Sequence, residues 1–146
     1  MTRLLPLCLA LNFLLILPSC ESPGTSGSGG KVNAAPNFAR LGLRKTGQVS
    51  QGKMSYYSVK TNGGTRTASG ERLSNSGMTA AHKTFPMGTM VEVTNLNNNR
   101  SAIVKINDRG PYIHGRIIDV SIGVAGQLDF VSSGVAPCRV EVLKSL

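Results

Sequence analysis

From Gln48 onward the chain consists of short runs that alternate apolar and polar residues at period two. They are "KMSYYSV", "TMVEVTNL", "RSAIVKIN", "RIIDVS" and "CRVEVL", punctuated by Gly, Asn and Pro. Alternation puts every second side chain on one face of a strand, and strands this short bury that face only by packing against one another. The pattern excludes a helical bundle and predicts a small barrel or sandwich. "NLNNNR" at 95–100 reads as the turn of a hairpin, because Asn tolerates left-handed backbone. Only short helices are expected: "SIGVAGQLDF" with Ser121 as its N-cap, and a turn near "GMTAAHK". "GTMVEV" (88–93) and "PCRVEV" (137–142) echo each other. The echo suits a barrel of two related halves, although two six-residue matches also arise by chance.

The 146 residues suffice for one domain with appendages. Residues 1–19 carry one charge, Arg3, then an apolar run and small residues, which is the layout of an export signal and is short for a membrane span. "LPSC" at 17–20 resembles a lipobox, with Cys20 as the acylated residue. Cleavage near Ser19 without lipid and an uncleaved anchor are the alternatives. Glu21 follows Cys20 where an inner-membrane retention signal would have Asp, which points to the outer membrane. Residues 20–46 are rich in Gly, Ser and Pro and are read as a lipidated flexible tether, with the folded domain over 47–146. With Cys8 in the signal and Cys20 acylated, Cys138 has no disulfide partner and is expected to be a small buried residue. No Cys/His cluster has metal-ligand spacing, so neither metal nor cofactor is expected.

The chain has 16 Lys and Arg against 7 Asp and Glu, a net charge of +9. That balance predicts a polyanionic partner, whether nucleic acid, anionic lipid or acidic glycan, and export argues against nucleic acid.

Three of the acids, Glu71, Asp108 and Asp119, lie beside Gly, Ser, Thr or Arg in loop-prone strings. Carboxylates on loops leaving a rigid barrel are well placed to meet a ligand. Asp108 in "NDRGP" ends a β-branched run and then turns, which sets it at a strand's lip beside Arg109; its alternative is to brace its own turn. Asp119 in "RIIDVS" reads as a cap or as a partner of Arg116. His82 in "TAAHKTFP" and Glu71 in "TASGE" are open to a structural or a functional reading.

Taken together, "SYY" (55–57), "RTASGE" (66–71), "MTAAHKTFPMGTMVEVTN" (78–95), "VKINDRGPY" (104–112) and "GRIIDVS" (115–121) resemble the RlpA-like (rare lipoprotein A) septal lytic transglycosylases. Their domain is a double-psi β-barrel related to barwin and the expansins. The resemblance implies a mainly β, six-stranded double-psi barrel with one or two short helices. It also implies cleavage of the MurNAc–GlcNAc bond of peptidoglycan with formation of a 1,6-anhydro end. It carries the catalytic roles onto Glu71, His82 and Asp108. On that basis Asp108 protonates the bridging oxygen and then accepts the proton of the 6-hydroxyl, while Glu71 supports it and His82 orients the substrate.

Tyr57, Thr67, Ser69, Arg66, Arg109 and Arg116 are expected to touch substrate, with Arg72, Lys83 and Lys105 as further basic candidates for the groove. The family prefers glycan stripped of its stem peptides. Loss of the segment before Cys20 removes one of the 16 basic residues, so 15 would face 7 acids, a balance suited to such a polyanion.

The chain departs from many relatives in having "SVKTNGGT" at 58–65 where they carry a Phe-His-Gly-type string. It stops at Leu146 without the glycan-binding C-terminal module that many of them have, so septal targeting by that route is not expected. A non-catalytic glycan-binding lipoprotein and a lipid-tethered partner of envelope or division proteins are the competing functions.

Overall fold

The computed structural model describes residues 38–146; the expected signal peptide, Cys20 and most of the tether lie outside them. A 3-10 turn (Ala39–Leu41) leads into β1 (Leu43–Tyr57), which is followed by β2 (Thr79–His82), β3 (Met90–Asn95), β4 (Ser101–Asp108), β5 (Arg116–Ser121), helix α1 (Ile122–Gln127) and β6 (Val135–Ser145). The strands close into a barrel in the order β1-β5-β2-β4-β3-β6. β1 with β5 and β2 with β4 are parallel; the other pairs are antiparallel. Every second residue of the alternating runs points inward. Met54, Val91, Val93, Val104, Ile106, Ile118, Val120 and Val140 are all fully buried and form one core with Phe130 and Leu128 beneath α1. This is the small β-barrel that the period-two runs predict.

Exchanging the first three strands with the last three maps the barrel order onto itself, the parallel pairs included. The two echoing strings occupy the corresponding strands β3 and β6, which pair with each other: Val91 faces Val142, Glu92 faces Glu141 and Val93 faces Val140. Two like-charged residues therefore meet at the centre of the repeat, both nearly buried, at 4% and 5% exposure. Such a pair repels unless a cation lies between its members. Lys45 supplies it, with Nζ 2.7 Å from Glu92 and 3.3 Å from Glu141, while Arg139 lies 2.8 Å from Glu141. The hydrogen bond to Glu92, and then Glu141, hold the Lys45 ammonium above the usual lysine range despite the opposing effect of burial.

The hairpin over 95–100 forms as expected, with Asn99 left-handed at φ 57° and its N–H donating to the Asn95 carbonyl. Ser121 caps α1 by accepting the Val124 N–H. Cys138 is buried, and burial pushes its thiol up to about 12. Two expectations are corrected. "TAAH" is not a helical turn; it is a central strand, because its small residues fit between β4 and β5 on either side. The expected tether over 20–46 is also corrected at its C-terminal end, which is ordered as strand. Leu43, Arg44 and Lys45 are strand, paired through their backbone with Ser145, Lys144 and Leu143. The exposed, charged side chains of Arg44 and Lys45 disguise that pairing in the sequence.

Candidate active site

β4 carries an extra residue opposite β2. Ile106 faces Ala80 and Asp108 faces Ala81, which leaves Asn107 as the bulge. On its other side Ala81 faces Asp119 of β5, and Asp119 faces Ser55 of β1. Residues in register across neighbouring strands share a face. Their chain neighbours Ala80, Ile118, Val120 and Met54 point into the core, so Asp108, Ala81, Asp119 and Ser55 form a row on the outer face. Asp108 and Asp119 stand two inter-strand spacings apart, about 10 Å between Cα atoms. Ala81, itself buried at 4% exposure, forms the floor between them.

The loop between Arg66 and Arg72 folds onto the end of this row. Gly70, left-handed at φ 85°, permits the tight turn in which its N–H reaches the Thr67 carbonyl. Ser69 N–H donates to the Asn107 carbonyl at 3.1 Å and Ala68 N–H to Asp108 Oδ1 at 2.9 Å. The Arg109 N–H also donates to Oδ1, at 2.8 Å. One oxygen of Asp108 is thus pinned by two amides, and among the described residues no group bonds the other. Glu71 is held in the same neighbourhood by Lys105, 2.6 Å from Oε1, and by Asn107 Nδ2, 3.0 Å from Oε2. Lys105 first, then Asn107, hold its carboxyl below the usual range. Asn107 Oδ1 is buried and has no partner among the described residues, an acceptor open to water or ligand.

Asp119 differs from both. Burial, the largest influence, pushes its carboxyl up, against a hydrogen bond from Ser55 and the charge of Arg116. Arg116 Nη1 in turn donates to Ser55 Oγ at 3.2 Å. Tyr57 lies on the same face of β1 as Ser55, and its hydroxyl is 2.8 Å from Thr79 Oγ1. Burial raises its pKa most, and the negative charges of Asp108, Asp119 and Glu71 add to the rise. The tyrosine hydroxyl therefore sits in the combined field of the three carboxylates.

His82 belongs to the wall instead of the floor. Its ring stacks on Phe85 at 3.7 Å, and Nδ1 accepts the N–H groups of Thr84 at 3.2 Å and Phe85 at 3.1 Å. A nitrogen that accepts cannot carry the proton, so the neutral ring has its N–H on Nε2. Burial, followed by Arg109 and Lys83, lowers its pKa. Arg109 clamps the same turn, with Nη1 donating to the carbonyls of His82 and Phe85 at 3.2 and 2.9 Å.

Of the residues expected to act, Asp108 and Glu71 are brought together through Asn107, Lys105 and the loop. His82 reaches them only through Arg109, and none of the three side chains bonds another. Thr67 is buried and braces the loop through Ser69 Oγ and the Glu71 carbonyl. Arg66 Nη1 bonds the Gly70 carbonyl at 2.8 Å, and Arg72 faces it across an isolated β-bridge. Asp119 is neither the helix cap nor a direct partner of Arg116, since Ser121 caps and Ser55 intervenes. Its register with Asp108 is the feature the sequence reading missed. The signal lay in the alternation of "RIIDVS", which turns Asp119 away from Ile118 and Val120.

Residues 49–140 match the lytic transglycolase family. A Campylobacter jejuni protein named endolytic peptidoglycan transglycosylase RlpA is 48% identical over 151 residues, which cover 93% of this chain and 54% of that one. A protein of the same name from Pasteurella multocida is 46% identical over 99 residues, 68% of this chain and 33% of its own. The chain thus spans about half the length of the first of these curated relatives and a third of the second. The solved structure of a Streptomyces papain inhibitor matches with a TM-score of 0.53 at 25% identity, over 66% of this chain and 94% of the inhibitor. A barrel shared with an inhibitor does not specify chemistry; the residues of the site do. With most of its barrel inside the family match and a relative this similar along nearly its whole length, the chain belongs to the RlpA-like lytic transglycolase family of double-psi β-barrels.

Proposed function

We propose that this barrel is an endolytic lytic transglycosylase that cleaves the MurNAc–GlcNAc bond of peptidoglycan and leaves a 1,6-anhydro end. The observation that carries the proposal is the row Asp108, Ala81, Asp119: two half-buried carboxyls of unlike environment stand on one face, on either side of Ala81. Acid–base chemistry benefits from such a pair, because one member is held toward the protonated form and the other has an oxygen free to accept. A glycan lying between the two carboxyls presents its bridging oxygen to Asp119, which donates the proton as the C1–O bond breaks. The 6-hydroxyl of the same muramoyl residue closes on C1 and gives its proton to the free oxygen of Asp108. A proton enters and a proton leaves, and no water is consumed. This divides between two residues what the sequence alone assigns to Asp108. Glu71 and Asn107 hold the loop that pins Asp108, Tyr57 lines the floor, and His82 with Arg109 stiffens the adjoining wall.

The names of the relatives support the substrate class, and the basic balance of the chain supports preference for strands whose lactyl carboxylates are free. The export signal and Cys20 complete the reading as a lipid-anchored protein of the envelope, facing the periplasm from the outer membrane. The test is to incubate the purified protein with peptidoglycan before and after amidase treatment and to analyse released glycans by mass spectrometry. Anhydro-muramoyl products, absent with Asp108→Asn, support the proposal. Products heavier by one water would make it a hydrolase, and intact strands that co-sediment with the protein would make it a binding module.

A further inference from the structure

The two arginines that flank the Thr67–Glu71 turn are placed in an unfavourable way. Arg66 faces Arg72 across an antiparallel bridge closed on either side by Leu73 N–H to the Thr65 carbonyl and Thr67 N–H to the Glu71 carbonyl, both 2.9 Å. Bonds made only by the neighbours define the non-hydrogen-bonded type of pair, in which Cα atoms approach to about 4.5 Å and side chains are closest. Like charges directly opposite at such a site repel. Among the described residues neither guanidinium forms a salt bridge. Glu71, the acid between them in sequence, is committed to Lys105 and Asn107, and the bond from Arg66 goes to the neutral Gly70 carbonyl. Both arginines are exposed, and with Thr65 they line a cleft of about 300 Å³.

We propose that Arg66 and Arg72 form a carboxylate subsite for the free lactyl group of a muramoyl residue next to the one being cleaved. A guanidinium pair facing one cleft provides the forked donors that a carboxylate takes up, and the incoming anion relieves the repulsion between them. The subsite is tied to the reacting centre by the backbone. Ala68, whose N–H holds Asp108, lies two residues beyond Arg66, about 7 Å along an extended chain. A strand bound between the two carboxyls and running toward the Thr67–Glu71 turn brings a neighbouring muramoyl group to this cleft. Where a stem peptide is attached, the lactyl carboxylate has become an amide and offers no charge. The inference rests on the glycan reading above and adds the group that distinguishes bare from peptide-bearing strands.

The experiment measures affinity instead of turnover, with Asp108→Asn in the full chain to prevent cleavage. Three ligands are compared: denuded strands, denuded strands whose carboxyls have been reduced to alcohols with carbodiimide and borohydride, and peptide-bearing strands. Denuded strands are expected to bind about tenfold tighter than the reduced ones, the size of effect that loss of a charge-assisted contact gives. Arg72→Gln, which removes no hydrogen bond from the loop, is expected to close most of that gap; Lys144→Gln, an equal charge change on β6, should leave it open. Equal affinity for denuded and reduced strands overturns the subsite, as does a gap that persists in Arg72→Gln. Tighter binding of peptide-bearing strands than of denuded ones overturns the lactyl assignment and makes the ligand a peptide carboxylate. Failure of the native protein to cleave any strand sinks the catalytic reading alone, because the affinity gap is measured independently of it.

Discussion

Asp108 and Asp119 stand abreast on one face of the barrel, each in register with Ala81, although they end one strand and interrupt another eleven positions later. Their surroundings differ in kind. Two amide N–H groups grip one oxygen of Asp108, whereas Asp119 sits on β5 between β1 and β2 with a serine hydroxyl as its donor. Position and environment together make them a candidate acid and base.

If Asp119 donates the proton, Asp119→Asn and Asp108→Asn should each reduce kcat by about 10²–10⁴-fold, the range for losing a general acid or base. A structural role for Asp119 would leave kcat within about tenfold of the native value. The two substitutions should also separate in stability. A carboxyl raised by burial is neutral at no penalty below its unfolded pKa, and the fold loses stability as pH rises through the higher folded value. Asp119→Asn should therefore raise Tm at pH 7, with the gain shrinking toward pH 3; thermal melts across that range would show it.

Glu71 is lowered by its contacts with Lys105 and Asn107, and the sign there is the reverse. Its stabilisation is present above the unfolded carboxylate pKa and is lost as pH falls through the folded one. The loop it holds supplies the Ala68 N–H to Asp108. Glu71→Gln keeps an acceptor for Asn107 but loses the ion pair. Amide exchange at Ala68 and Ser69 should quicken in this variant, and activity should fall about tenfold without a change in overall fold. Unchanged exchange would separate Glu71 from the positioning of Asp108.

His82 accepts two amides through Nδ1, so protonation there must break both contacts. A base with a lowered pKa contributes stability above its unfolded pKa that is lost as pH falls through the folded value. The protein should be destabilised below about pH 6, the ordinary histidine range. His82→Ala should cost about 1–3 kcal/mol by stranding the Thr84 and Phe85 amides. Nitrogen NMR at pH 7 should find Nδ1 unprotonated; a proton on Nδ1 would contradict the wall geometry.

The barrel itself was legible because its core-facing residues alternate, and hairpin, helix cap and buried Cys138 each had a local signal. The proximity of Asp108 and Glu71 was legible through their motif strings. Three features escaped for a common reason, which is that they depend on pairing between segments far apart in the chain. The register of Asp119 with Asp108 passes through β2, a four-residue strand whose alanines carry no strand signature. The bulge at Asn107 that aligns them has no glycine or proline to mark it.

The third hidden pairing is that of Lys45, in a stretch that reads as tether and yet holds Glu92 and Glu141 together. Both carboxylates are nearly buried and face each other across β3 and β6, so removing the cation leaves two like charges with only Arg139 to offset them. Breaking such a buried arrangement typically costs 3–5 kcal/mol, but the Lys45 side chain is 42% exposed and solvent screens part of the effect. Lys45→Ala should therefore destabilise the barrel by about 2 kcal/mol, measured by urea unfolding. A fragment beginning at residue 47 should lose at least as much, because it also forfeits the pairing of Leu43, Arg44 and Lys45 with β6. Combining Lys45→Met with Glu92→Gln and Glu141→Gln should recover most of the loss, since the charges that needed the lysine are then gone. Full stability in the fragment would return residues 43–46 to the tether.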